Sequence, residues 1–277
     1  CLRFNPDVVA GEHEKIQTGG NRSKFGILMK DQQKAVELVR KYNLRVVGIH
    51  KHTGSGIAEV DKFTRSMKNL LSVADNQAFP DLEFIDIGGG FKVPYLEDET
   101  PIDYTEFGGI ITGIYEVYCK EYGKDLALYV EPGKYLVAEC GLFVLKVNTL
   151  KDNDGRLIAG TDSGFPHLIR PAFYDAYHHI INISNPNGEM KKYDICGNIC
   201  ESGDRFAADR MMPEIREGDY LVILNAGAYC YSMAGIYNLR ALPSEVFLLD
   251  NNHSLVTKRL SDEELVDSIL SGRGAVR

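Results

Sequence analysis

"GIHKHTGSGI", residues 48–57, decides how the first half of the chain is read. It has the look of a strand end, and on a strand His50 and His52 point to the same side. Two imidazoles on one side can hold a metal. The Gly54-Ser55-Gly56 turn that follows can instead close backbone N–H groups around a phosphate, with the serine hydroxyl as a further donor. A second glycine exit, "DIGGGF" at 86–91, follows another apolar run. Two such loops on neighbouring parallel strands favour phosphate. The metal reading needs more histidine at later strand ends, and those offer Asp86 and Glu131 but no His, so no metal is expected. His50 is then expected to be structural.

The surrounding segments alternate strand and helix. "LRVVGIHKH" is an apolar run, and Val60, Phe63, Met67, Leu70, Leu71 and Ala74 follow helical spacing. Another helix is predicted near Asp31–Tyr42 with Asp31 as cap, and a third over Tyr104–Tyr122 with Gly123 as its stop. "LALYVEPGKYLV", 126–137, is read as a strand. Such β-α-β-α order implies parallel strands with helices outside, and a site where the strands end. After about residue 139 the pattern becomes short strands and turns, with helical periodicity returning only in "SDEELVDSIL". The division expected is an α/β domain over 1–138 and a β-rich domain with a short helical tail over 139–277.

Composition narrows the classes. A net charge of −8 over 277 residues argues against nucleic acid as the main partner. No apolar run reaches the roughly 18–20 residues of a membrane span. The six cysteines are scattered, which reads as reduced thiols in a cytoplasmic protein. Cys196 and Cys200 lack the second ligand pair of a zinc site. The chain starts at Cys1 inside an apolar run, without a signal or transit pattern, and is read as a fragment.

Other positions carry candidate chemistry. Glu131 in "EPGKY" can be a base, a metal ligand, a partner to a heterocyclic nitrogen or a plain strand-end acid. Cys200, Glu201 and Asp204 share one turn. A thiol beside carboxylates has a raised pKa and suits proton donation, although it also suits simple burial. Arg170 can grip a carboxylate through its two-pronged fork, or form a surface ion pair. Tyr174 lies in the same run, four residues on. Tyr229, after a small-residue turn, can donate to phosphate or fill a core.

Taken in order, His52 with Gly54-Ser55-Gly56, Gly88-Gly89-Gly90, Glu131-Pro132-Gly133, Cys200-Glu201 and Gly227-Ala228-Tyr229 resemble the fold-type III pyridoxal 5′-phosphate-dependent decarboxylases. "SKFGI" at 23–27, "RPAFYDAYHH" at 170–179 and "GAYCYSMAGIYN" at 227–238 resemble the diaminopimelate branch more than the ornithine or arginine branches. The resemblance implies a (β/α)8 barrel, here partial, followed by a β domain. It implies His52 stacked on the coenzyme ring, with Ser55, Gly88, Gly89, Gly90 and Tyr229 at its phosphate. Glu131, in the Glu131-Pro132-Gly133 turn, would face the pyridine nitrogen. Arg170, Tyr174 and Glu201 would bind an amino-acid substrate, and Cys200 would return a proton after CO2 leaves. It further implies a homodimer with shared active sites and decarboxylation of meso-diaminopimelate to L-lysine.

Two departures stand out. Lys134 occupies a position where the family carries Arg; it keeps the charge and loses the planar fork, at the phosphate or at a substrate carboxylate. No lysine stands in the Tyr-Ala-x-Lys context that carries the coenzyme in this family. The early barrel strands are therefore expected to be missing, and the fragment inactive. A racemase would want a tyrosine where Cys200-Glu201 stands. An ornithine- or arginine-type decarboxylase and a non-catalytic binding protein are the competing readings.

Overall fold

Five short strands build the first of two units, Cys1–Ala138. They are β1 (Leu2–Asn5), β2 (Ile27–Leu28), β3 (Gly48–His50), β4 (Phe84–Asp86) and β5 (Ala127–Tyr129). They pair in the order β2-β1-β3-β4-β5, every pair parallel. Helices α1 (Gln32–Lys41), α2 (Val60–Val73) and α3 (Tyr104–Tyr122) alternate with them, and α4 (Gly133–Val137) follows β5. The computed structural model describes residues 1–11 and 13–272.

The apolar spacing acts as the sequence predicts. Phe63, Met67 and Leu70 of α2 are at most 1% exposed and pack with Ile49 and Ile85 of the sheet. In α3, Tyr115, Tyr118 and Tyr122 bury their rings and send their hydroxyls to the Ala127, Ala74 and Phe79 carbonyls at 2.9, 2.6 and 2.7 Å. Each tyrosine thus fills the core and satisfies a backbone carbonyl at once. Asp103 caps this helix through Thr105 and Glu106, and Gly123 ends it in the left-handed conformation.

Two expectations need correction. Asp31 occupies the cap position of α1 but its side chain makes no capping bond, because Met29–Asp31 already form a 3-10 turn. The run 126–137 is not one strand. Only Ala127–Tyr129 is extended, after which Pro132 and Gly133 open α4. Proline fixes a helix-compatible φ and removes a donor that the first turn does not need.

The second unit, from Glu139 onward, is mostly sheet. Its strands are β6 (Phe143–Asn153), β7 (Arg156–Thr161), β8 (Ile180–Asn182), β9 (Met190–Cys196), β10 (Arg205–Pro213) and β11 (Tyr220–Ile223). They pair in the order β10-β9-β7-β6-β11-β8. The Asp-Gly turn read from the sequence joins β6 to β7, with Asp154 at φ 56° and Gly155 at φ 84°, as a two-residue turn of the primed type requires. β10 was not legible, because shifts of register break its alternation. A short helix α5 (Arg170–Tyr174), a separate hairpin of β12 (Glu245–Leu249) and β13 (Asn252–Thr257), and the tail helix α6 (Asp262–Gly272) complete the unit. Leu145, Val147, Leu168, Ile195, Leu221 and Ile223 form its fully buried centre. An α/β unit followed by a β-rich one is the fold class predicted. No helix among the described residues is long and apolar enough to cross a membrane.

The alternation that turns His50 and His52 to one side turns Lys51 to the other. Lys51 is 0% exposed, its ammonium 3.8 Å from the Phe63 ring centroid and 3.4 Å from the Thr53 hydroxyl. Burial lowers its pKa to about 7, against the raising effect of Asp86. The unfolded chain therefore binds more protons than the folded one between about pH 7 and the ordinary lysine value of 10.5. The burial penalty is complete below pH 7 and disappears as pH rises through that window. Lys51→Met is expected to stabilise the protein at pH 6 by on the order of a few kcal/mol, with the gain shrinking toward pH 10. Thermal melts across pH test this; a gap between the two proteins that does not vary with pH contradicts it.

Candidate functional site

Three loops meet where β3, β4 and β5 end. A Cβ at Gly89 would sit 2.0 Å from the Glu131 carbonyl oxygen, one at Gly90 2.2 Å from that of Gly54, and one at Gly88 2.4 Å from that of Lys51. Backbone bonds lock the arrangement: Glu131 N–H donates to Gly88 O at 3.0 Å and Ile57 N–H to Gly90 O at 2.8 Å. The glycines are therefore required first by close packing of loop against loop. The structure brings His52, Ser55, Gly88–Gly90 and Glu131 to one place.

The donors are divided unevenly. Gly88 N–H donates to Asp86 Oδ1 at 2.8 Å, and Gly89 N–H to His52 Nδ1 at 3.2 Å. Gly90 N–H and the Ser55 hydroxyl, on loops in mutual contact, have no protein partner among the described residues. His52 is kept neutral, its pKa lowered to about 4 by burial and by the Arg3 guanidinium. A neutral ring whose Nδ1 is already occupied presents a flat face rather than a charge.

Glu131 is held by a residue expected to be structural. His50 Nε2 lies 3.2 Å from Glu131 Oε2, and the Glu131 side chain is 53% exposed. Strand register explains the encounter: His50 pairs with Arg3 of β1 on one side and Asp86 of β4 on the other. His50, Asp86 and Glu131 each bring one ligand atom to within 4.8 Å of the others. The later strand ends bring no histidine of their own; the imidazole comes from β3, so His50 is more than structural. The group can take up a cation, or Glu131 can hold a proton on a basic ring nitrogen; both uses draw on the same carboxylate. Arg3, His50 and Asp86 were missed as site members. Their signal was a polar residue at one level of three apolar strands, visible only once the register is known.

Of the two buried lysines, Lys51 offers no amine here. Lys51 faces α2. Lys134, 5% exposed, carries its ammonium 5.3 Å from the Tyr95 ring. Pro132 and Gly133 serve as the turn into α4.

The second unit carries the other candidates. Arg170 is 5% exposed and donates from Nε to His178 Nε2 at 3.2 Å, so it is no surface ion pair. Tyr174 is half-buried at the other end of α5. Tyr229 is 48% exposed with φ 56°, which excludes a core role. Cys200 and Glu201 are exposed in the loop between β9 and β10. Asp204 anchors that loop: it is 3% exposed and accepts from Phe165 N–H at 2.6 Å and Ile199 N–H at 2.7 Å. Burial raises its pKa against those bonds.

The donor set fits a phosphorylated aromatic ring: unspent N–H and hydroxyl donors, a neutral flat face and an anchored carboxylate. Comparison with known proteins agrees. Residues 1–138 match the pyridoxal binding domain of the pyridoxal-dependent decarboxylases, and residues 72–227 match the C-terminal sheet domain of the same group. The chain is 41% identical to diaminopimelate decarboxylase of Methanothermobacter thermautotrophicus over 96% of its own length and 63% of the relative's. It is 33% identical to that of Aquifex aeolicus over 98% and 64%. A diaminopimelate decarboxylase from Helicobacter pylori, solved with L-lysine, superposes with TM-score 0.85 at 32% identity, covering 98% of this chain and 66% of that one. The chain thus spans slightly under two thirds of the length of these relatives. A lysine/ornithine decarboxylase from Vibrio vulnificus, at 23% identity and TM-score 0.69, shares the fold. Loop geometry, both domain matches and the relatives agree: the chain belongs to the pyridoxal-dependent decarboxylase family.

Proposed function

We propose that this chain supplies coenzyme- and substrate-binding parts of a pyridoxal 5′-phosphate-dependent decarboxylase that converts meso-diaminopimelate to L-lysine and CO2. The observation that carries this reading is the meeting of three strand-end loops, with Ser55 and Gly90 left as unspent donors beside neutral His52 and anchored Glu131. Ser55 and Gly90 would hold the phosphate, with Tyr229 as a further donor. Gly88 and Gly89, whose N–H groups are committed within the protein, shape the loop instead. Lys134 keeps a positive charge near the turn that carries Glu131.

When bound, pyridoxal phosphate supplies a sink for the electron pair released as the bond from Cα to the departing carboxylate breaks. Glu131, steadied by His50, would hold a proton on the pyridine nitrogen and so keep the ring electron-poor. His52 would lie against the ring without adding charge. The thiol of Cys200 delivers a proton to Cα, so hydrogen replaces the lost carboxylate. Arg170, Tyr174 and Glu201 read the far amino-carboxylate end, which lysine and ornithine lack in part; a recognition group left unpaired by such analogues is what makes them poor substrates. A homodimer in which the exposed Cys200-Glu201 loop enters the partner's site, working among reduced thiols in the cytoplasm, is part of the same proposal.

Binding of pyridoxamine 5′-phosphate needs no covalent lysine and tests the reading on this chain. Glu131→Gln is expected to weaken it by roughly 10- to 100-fold, the worth of a charge-assisted hydrogen bond. Equal affinity of the variant and the parent sinks the assignment of Glu131. Gly89→Ala is expected to abolish binding, because its Cβ displaces the Glu131 loop. Gly109→Ala, on a helix face with nothing within 4 Å, is expected to bind normally and melt slightly higher. In the complete enzyme, ornithine turned over as fast as meso-diaminopimelate would remove the substrate choice.

A further inference from the structure

Two side chains from the 231–239 segment hold the Cys200-Glu201 pair. Asn238 Nδ2 donates to Cys200 Sγ at 3.7 Å, and the Tyr237 hydroxyl donates to Glu201 Oε1. The Tyr237 ring packs on Phe165 with centroids 5.5 Å apart and planes at 37°. Phe165 and Ile199 both donate backbone N–H groups to Asp204, so one buried carboxylate ties the ring's support to the loop it serves. Gly197 makes this close approach possible, since a Cβ there would lie 2.2 Å from Asp204 Oδ2.

The segment bearing the two donors is strained. Asn238 and Leu239 both have φ 54°. Asparagine tolerates the left-handed region, but leucine pays about 1 kcal/mol or more there. Tyr237 and Asn238, at the start of this strained stretch, both reach the loop that carries Cys200 and Glu201.

We infer that Tyr237 and Asn238 are positioning residues: the amide fixes the Cys200 thiol, and the phenol fixes the Glu201 carboxylate. An N–H on the sulfur turns the S–H proton elsewhere and favours the thiolate left after that proton departs. A hydroxyl on one carboxylate oxygen leaves the other to face a ligand ammonium. The roles served, proton donor and substrate ligand, rest on the decarboxylase reading; the contacts do not.

The test uses the 277-residue chain without coenzyme. Iodoacetamide labelling of each cysteine, followed by mass spectrometry across pH, gives the midpoint for Cys200, with exposed Cys140 as internal reference. Asn238→Gly and Asn238→Asp both keep the left-handed backbone and remove the amide donor. Each is expected to raise the Cys200 midpoint by roughly half a unit or more and slow labelling at pH 7.5 about threefold, with Cys140 unchanged. Tyr237→Phe keeps the ring on Phe165 and loses only the hydroxyl. It is expected to raise the Glu201 midpoint, read by carbon-13 NMR of glutamate-labelled chain with Glu201→Gln as assignment, by a similar amount. An unmoved Cys200 midpoint in both Asn238 variants, or an unmoved Glu201 midpoint in Tyr237→Phe, overturns the inference. If the shifts occur but pyridoxamine 5′-phosphate does not bind, the decarboxylase reading fails while the positioning contacts stand.

Discussion

The site depends on backbone meeting backbone with no side chain between. Residues 88–90 pass so close to the carbonyls of Lys51, Glu131 and Gly54 that a methyl group at any of the three would occupy the same space as an oxygen. This contact fixes the spacing of the loops after β3, β4 and β5, and so the position of His52 relative to Glu131. Parallel pairing brings the three strand ends to one level, and the tyrosine-lined helix α3 holds the start of β5 through the Ala127 carbonyl. Packing, register and chemistry converge because the same glycines serve all of them.

Electrostatics then sort the two faces of β3. On one face, Arg3, His50 and Asp86 sit in register across three strands, with Glu131 reaching back to His50. On the other, Lys51 is buried against an aromatic ring at a cost to stability. Burial, with the Arg3 guanidinium, keeps His52 neutral, and His50 steadies Glu131, a carboxylate exposed enough to meet a ligand. In the β-rich unit, Asp204 plays the organising part, and the reactive side chains around it stay exposed.

Much of this was legible in the residues. The helices at 60–73 and 104–122, the Asp154-Gly155 hairpin and the glycine exits follow from local rules of period, capping and turn conformation. What was not legible depends on register or on long-range packing. His50 as support for Glu131 requires knowing which residue of β4 lies opposite. The Tyr237 and Asn238 contacts join positions 36 and 38 residues distant in sequence. The glycine loops were read as phosphate cradles, yet two of the three N–H groups are consumed within the protein; composition cannot say which donors remain. β10 hid because its bulges break the period-two pattern.

The most direct measurement is a crystal structure of this chain grown with pyridoxamine 5′-phosphate. The account predicts phosphate density between Ser55 and Gly90, the ring against His52, and its nitrogen at Glu131. Density for the ligand away from these residues, or a cation held by His50, Asp86 and Glu131 in its place, would contradict it.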